Sequence, residues 1–188
     1  MVASRPDWGI PSSSKKVFLS SASSSAISDS SLAETGITRA FSVDAISLTC
    51  FKYGLATGTF DILHPGHLLY LKEAKKLGDE LWVIVARSSM VDHKPKPVLF
   101  DDQRLKMVAA LKVVDHAVLG DNHDMFKPLE DIRPDIVVLG HDQHFNAKEL
   151  EEKIRDRGIN AKVVRVTAYE RCNTCSTGTI VKLIKEKQ

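Results

Sequence analysis

Three kinds of feature are scarce in this sequence, and each scarcity removes a class of protein. Cysteine occurs three times in 188 residues. Cys172 and Cys175 stand as a C-x-x-C near the end of the chain, and Cys50 has no second pair to complete a zinc set. Three thiols without a disulfide framework fit a reducing compartment, and the chain reads as cytoplasmic. Charge of one sign is scarce as well. A formal net charge of +2 generates no basic field, which argues against nucleic acid as a partner. No uninterrupted apolar run approaches the length needed to span a bilayer, so no membrane is expected.

Large apolar residues are also sparse in residues 1–50, where serine dominates, as in Ser12-Ser13-Ser14 and Ser23-Ser24-Ser25. Such a segment buries too little surface to offset its ordering entropy and is expected to be a disordered extension. Asp29 and Asp44 interrupt what apolar content it has, so a compact signal-peptide core is missing. A serine-rich transit peptide is the alternative reading of its composition. Residues 51–188 have a length suited to one modest enzyme domain.

Beyond Lys52, short apolar segments alternate with amphipathic ones. Strands are predicted at Tyr53 to Thr57, Leu81 to Val85, His116 to Leu119, Ile136 to Leu139 and Ala161 to Val166. Helices are predicted after Gly58–His67, from Arg104 to Leu111, near Pro128 to Ile132, from Ala147 to Arg157 and from Thr179 to Lys185. Gly78 suits the end of the first helix. Apolar strands interleaved with helices predict an α/β fold, one domain built on a five-stranded parallel sheet with helices on both faces. In such sheets, ligands bind beyond the carboxyl ends of the strands. Gly58 to His67, Ala86 to Pro97, Gly120, Gly140 to Gln143 and the turn after Val166 all follow strands, so they can converge on one crevice.

The densest chemical signal is Gly58-Thr59-Phe60-Asp61-Ile62-Leu63-His64-Pro65-Gly66-His67. It follows a strand and leads into Leu68-Leu69-Tyr70-Leu71, whose apolar spacing is helical. His64 and His67, three apart, fall on one face of a helix's first turn. Unpaired backbone N–H groups and the positive end of the helix dipole already favour an anion there. Pro65 is tolerated in a first turn, and Gly66 keeps the backbone beside His64 unobstructed. Two histidines at this spacing also suit a metal or a plain surface, but the surrounding turn favours phosphate.

Gly-Thr-Phe-Asp followed by His-x-Gly-His resembles the nucleotidyltransferase superfamily that includes cytidylyltransferases, phosphopantetheine adenylyltransferase and FAD synthases. Leu77-Gly78-Asp79-Glu80-Leu81, Lys94-Pro95-Lys96-Pro97, Pro134-Asp135-Ile136-Val137-Val138-Leu139-Gly140 and Asp142-Gln143 together resemble the archaeal-type FAD synthase, an FMN adenylyltransferase, from about Leu55 to about Ile184. The resemblance implies a Rossmann-like domain, ATP and FMN as partners, and His64 and His67 as catalytic residues. It further implies that Thr59, Phe60, Pro65, Gly66, Asp142, Tyr169, Ser176 and Thr177 join the two histidines in binding ATP, and that Lys94 and Lys96 meet substrate phosphates. By themselves the two lysines suit a solvated loop, Asp142 a helix cap and Tyr169 an exposed rim. The phosphate chemistry calls for a divalent cation such as Mg²⁺, for which no protein ligand is assigned. A homodimer is an expectation by analogy alone.

Arg171-Cys172-Asn173-Thr174-Cys175-Ser176-Thr177-Gly178 precedes the last helix, and its hydroxyls suit both an N-cap and a phosphate site. It matches the Arg-Thr-x-x-Ile-Ser-Thr-Thr signature of cytidylyltransferases only in part. Cys172 and Cys175 read as structural thiols, with a redox-sensitive pair as the alternative. Three functions therefore compete: FAD synthesis from ATP and FMN, cytidylyl transfer to a small phosphorylated alcohol such as glycerol 3-phosphate, and a non-catalytic nucleotide-binding or thiol-redox module.

Overall fold

The computed structural model describes residues 51–92, 94–169 and 172–187. The serine-rich segment 1–50, His93 and Arg171 lie outside the described residues, so the expectation of disorder is not addressed by it.

The chain forms β1 (Tyr53–Gly58), α1 (Pro65–Lys75), β2 (Glu80–Val85), a short 3-10 turn (Ser88–Met90), α2 (Asp101–Ala109), β3 (His116–Leu119), α3 (Lys127–Ile132), β4 (Ile136–Leu139), α4 (Ala147–Asp156), β5 (Lys162–Arg165) and α5 (Thr177–Glu186). All five strands run parallel in the order β3-β2-β1-β4-β5. This is the expected Rossmann-like arrangement. The strands are short apolar runs because both faces of the sheet are covered. Leu55, Trp82, Ile84, Val137 and Leu139 point to one face and pack with Leu129 of α3 and with Leu150 and Ile154 of α4. Ala56, Leu81, Val83, Val85 and Val138 point to the other and pack with Leu71 and Ala74 of α1 and Val108 of α2. The chain winds outward from β1 through β2 to β3, then returns to place β4 on the other side of β1. The switch in strand order between β1 and β4 opens a crevice at the carboxyl ends.

Several boundaries differ from the sequence reading. Helix α2 begins at Asp101 rather than Arg104, because Gln103 Oε1 accepts from the Phe100 N–H at 3.1 Å and closes the first turn there. Helix α5 begins two residues before Thr179. Gly78 does not cap α1, whose C-cap is Lys76 in a right-handed conformation. A Cβ on Gly78 would lie 2.7 Å from the Gly54 nitrogen and 3.0 Å from the Lys52 carbonyl, so glycine is needed there for the close approach of β1.

The opposite rim of the sheet is fastened by carboxylates. Asp79, Asp135 and Asp115 accept from the backbone N–H groups of Lys52, Tyr53 and Leu81 at 2.7, 2.8 and 2.6 Å. Lys75 bridges Asp115 at 2.7 Å, and hydrogen bonds from Lys75 and Leu81 hold that carboxyl below its ordinary range although burial works against its ionisation. These ties leave the carboxyl ends of the strands free to carry loops.

Candidate active site

A cavity of about 890 Å³ lies beyond the carboxyl ends of β1, β2 and β4. Its centre is the turn from β1 into α1. His64 is the N-cap of α1, with extended backbone (φ −143°, ψ 166°), and its Nδ1 accepts from the His67 N–H at 3.3 Å. An acceptor at Nδ1 requires the ring proton to sit on Nε2, so the neutral ring keeps an N–H donor at its far edge. The rings of His64 and His67 stack at 3.7 Å, and Phe60 packs edge-on to His67 at 5.2 Å. Phe60 holds a left-handed backbone (φ 49°) and is almost fully buried, a conformation costing about 1–2 kcal/mol that its packing must offset.

The electrostatics keep both rings neutral near pH 7. Burial lowers His64, against the attraction of Asp142. Burial also lowers His67, to about 4; the neighbouring His64 and the Lys94 ammonium push in the same direction, while Asp142 and Asp61 oppose them. Neutral imidazoles offer a ligand hydrogen bonds rather than positive charge. His67 Nδ1 is buried and has no hydrogen-bond partner among the described residues.

A second helix end abuts the first. Ser176 is the N-cap of α5, its carbonyl accepting from Ile180 N–H at 3.0 Å, and Thr177 Oγ1 donates to the Ile62 carbonyl at 3.5 Å. A Cβ on Gly66 would lie 3.1 Å from the Cys175 carbonyl and 3.1 Å from His64 Nδ1. The absent side chain thus lets the turn before α5 close against the start of α1. Gly66, Ser176, Thr177 and Gly178 all line the cavity, so the positive ends of two helix dipoles reach it. Cys172 and Cys175 are joined as a disulfide within this turn. The reading of two separate thiols is corrected accordingly, and the cysteines no longer argue for a reducing compartment.

After β4, Gln143 bridges two strands: its Nε2 donates to the Thr57 carbonyl at 2.8 Å and its Oε1 accepts from Gly140 N–H at 3.0 Å. Arg165 of β5 donates to the carbonyls of Gly140, Gln143 and Phe145. This fixed loop presents Asp142 to the cavity. Asp142 is not a helix cap, since Asn146 caps α4 by accepting from Lys148 N–H at 3.0 Å. Tyr169 also lines the cavity and packs 4.9 Å from the ring of His141.

The structure thus brings together Thr59, Phe60, His64, Gly66, His67, Asp142, Tyr169, Ser176, Thr177 and Lys94. Two expected residues stand apart. Pro65 opens α1 without lining the cavity, and Lys96 ion-pairs with Asp92 at 2.9 Å on an exposed loop.

The residue that the sequence reading passed over is Arg104, which is fully buried. Its guanidinium donates to the carbonyls of Leu99, Thr59 and Ala86 at 3.2, 2.5 and 2.8 Å, and to Ser88 Oγ and Asp101 Oδ1 at 3.2 and 2.6 Å. It therefore clamps the end of β1, the end of β2 and the start of α2 into one rim. Burial opposes ionisation of Asp101, but hydrogen bonds from Ser88 and Arg104 hold its carboxyl below the ordinary range. The available signal was an arginine one turn before Val108, on the stripe of α2 that faces the core. Asp61 is also nearly buried and accepts from Leu99 N–H at 3.0 Å, fastening the same rim.

No group of three or more His, Cys, Asp or Glu side chains that could hold a metal gathers among the described residues. A divalent cation at this site would take its ligands chiefly from substrate phosphates. Asp121 and Asp142 are the carboxylates that line the cavity, and Mg²⁺ beside phosphates takes only one or two such ligands, so the residues present fit a cation held mainly by substrate.

The family described as cytidylyltransferase-like matches residues 55–183. A protein of Methanohalophilus mahii named FAD synthase is 60% identical over 134 residues, covering 71% of this chain and 94% of the relative. An FAD synthase of Archaeoglobus profundus is 59% identical over 130 residues, covering 69% of this chain and 84% of the relative. Among solved structures, a lipopolysaccharide core biosynthesis protein from Thermoplasma volcanium superposes with a TM-score of 0.61 at 48% identity, covering 63% of this chain and 98% of that one.

Proposed function

The chain belongs to the cytidylyltransferase-like family, and on that premise we propose that it is an FAD synthase, a nucleotidyltransferase that moves the AMP moiety of ATP onto FMN and releases pyrophosphate. The observation that carries the reading is the stacked, neutral histidine pair at the open end of α1, facing a cavity large enough for a nucleotide. The choice of FMN as acceptor is supported by 59–60% identity to relatives named FAD synthase.

The reaction is an in-line displacement. A phosphate monoester has a second pKa of about 6, so the FMN phosphate is already ionised near neutral pH and needs no general base. Its oxygen attacks the α-phosphorus of ATP, and the bond to the β-phosphate oxygen breaks as pyrophosphate leaves. Catalysis then consists of positioning and of stabilising charge on the five-coordinate transition state. His64 donates from Nε2, and His67 stands stacked beside it. The N-terminus of α1 adds the Gly66 N–H and the positive end of the helix dipole. Thr59 and Phe60 hold the nucleotide through their backbone, Asp142 and Tyr169 take its nucleoside, and Ser176 and Thr177 at the start of α5 steady the β and γ phosphates. Lys94 meets the FMN phosphate, while Lys96, implied for the same role by resemblance, pairs with Asp92 and does not line the cavity.

FAD synthases are nucleotidyltransferases that generally need a divalent metal; such a cation would be held chiefly by the substrate phosphates and would supply charge neutralisation there. No helix among the described residues is long and apolar enough to cross a membrane. A cytoplasmic location suits small-molecule substrates of this kind.

The purified chain, incubated with Mg²⁺ and each pairing of ATP or CTP with FMN or glycerol 3-phosphate, should convert FMN to FAD with ATP alone and release pyrophosphate as it does so. Pyrophosphate with glycerol 3-phosphate but not with FMN would move the assignment to cytidylyl transfer. No release with any pairing would remove enzymatic activity altogether.

A further inference from the structure

The cavity extends to both sides of the histidine pair, and its two halves differ in chemistry. Toward β4 and β5 it is lined by Gly140, His141, Asp142 and Tyr169, which offer hydrogen bonds to a nucleoside. Toward β2 and β3 it is lined by Arg87, Met90, Gly120, Asp121, Met125 and Phe126, where thioethers and a ring stand beside the charged groups. Met90 and Met125 are 36% and 45% exposed, so both thioethers are open to the cavity they line. They sit on separate loops, one after β2 and one after β3. Two bridges fasten those loops together: Arg87 Nε donates to the Gly120 carbonyl at 2.6 Å, and Ser89 Oγ donates to Asn122 Oδ1 at 3.5 Å. Behind Met125, the Phe126 ring is held by the Arg157 guanidinium 4.7 Å from its centroid. The methionines are thus presented on a braced rim.

We propose that Met90 and Met125 form the surface on which the isoalloxazine ring of FMN lies, and so determine selectivity for a flavin acceptor. The inference rests on the FAD synthase reading. Three observations lead to it. Lys94 lies four residues beyond Met90 on the same loop, lines the cavity and acts electrostatically on His67. An acceptor phosphate held between Lys94 and His67 leaves the rest of the molecule to run back along that loop toward Met90. The isoalloxazine is a broad, flat and polarisable ring system, and thioethers make favourable sulfur–ring contacts while adapting their shape. The half of the cavity beyond β4 offers Asp142 and Tyr169 instead, which suits the ribose and base of ATP. The two planar groups are thereby sorted to opposite sides of the reacting phosphates.

The test is steady-state kinetics of the wild type, M90A/M125A and M90L/M125L, varying FMN and ATP separately and following FAD and pyrophosphate. Truncating both side chains away from the ring in M90A/M125A should raise KM for FMN by about ten-fold and leave kcat at saturation near wild type. KM for ATP should stay within about two-fold, and the leucine pair should keep most of the affinity. Riboflavin carries the ring without the phosphate, so its inhibition constant against FMN should rise in the alanine pair by the same factor, roughly ten-fold. Riboflavin inhibition and KM for ATP also register any general damage to the site, because unfolding would lower activity without a selective change in flavin affinity. An unchanged KM for FMN, or an equal rise in KM for ATP, overturns the assignment of the methionines while FAD formation by the wild type leaves the enzyme reading intact. A wild type that makes no FAD overturns both.

Discussion

Replacing His64 with alanine and with asparagine separates two jobs that one side chain performs. As N-cap, its Nδ1 accepts from His67 N–H at 3.3 Å. Losing that acceptor should cost about 1 kcal/mol. For a folded unit of this size, that lowers the melting midpoint by roughly 3–5 °C. As a donor, its Nε2–H is proposed to meet phosphate oxygens as negative charge builds in the transition state, and removing one such donor should lower kcat by about 10²–10³. His64→Ala should show both losses. Asparagine is a good N-cap and restores the bond to His67 N–H, but it is too short to project a donor as far as the imidazole Nε2. His64→Asn should therefore melt near wild type yet turn over as slowly as the alanine variant. Thermal melting by circular dichroism and a pyrophosphate-coupled assay at saturating ATP and FMN read the two effects independently. Wild-type turnover in His64→Asn would refute the reasoning, because it would reduce His64 to a helix cap.

Further consequences can be checked on other residues. His67 takes up a proton near 6.5 in the unfolded chain and only near 4 in the folded one. The unfolded state therefore binds more protons between these values, and stability should decline as pH falls through that window by at most about 1.4 kcal/mol per unit, levelling below it. His64 adds to the same trend, since its value is also lowered. Urea unfolding of His67→Asn should show a flatter profile between about pH 5 and 6.5, and an identical profile would contradict the burial of the neutral ring. Arg104→Ala leaves the carbonyls of Thr59 and Ala86 and the Asp101 carboxylate without their partner, so it should cost about 3–5 kcal/mol in urea unfolding. A loss below about 1 kcal/mol would mean that the rim closes without the clamp. Gly66→Ala forces the Cys175 carbonyl or the His64 ring to give by a few tenths of an ångström. Turnover should fall about ten-fold while melting changes little, and full activity would show that the two helix ends need not meet.

Much of the architecture was legible because it depends on local pattern. Apolar runs such as Leu81 to Val85 and Ile136 to Leu139 can be satisfied only by a sheet covered on both faces, and the structure covers them. Helix ends were less legible. The capping bond that starts α2 runs from the Phe100 N–H to Gln103 Oε1, a contact no periodicity records. Gly78 shows the same limit from the other side: its need for glycine comes from Gly54, 24 positions earlier in the chain but adjacent in space. The candidate site divides in the same way. His64, Gly66 and His67 lie within four residues at one helix start, so the cap that His64 makes on the His67 N–H brings them together locally. Lys94 and Lys96 are alike in sequence and were separated only by the neighbour each one meets, the cavity for the first and Asp92 for the second.

From the order of its residues alone, this protein had a parallel α/β domain and a strand-turn-helix segment with a paired imidazole at its mouth, because each depends on positions a few residues apart. Only the folded chain decided that the imidazoles are neutral, that Arg104 clamps the rim from inside, and that α5 begins against α1. Those properties arise from burial and from atoms brought together across long stretches of chain, and neither desolvation nor proximity is written in any local pattern.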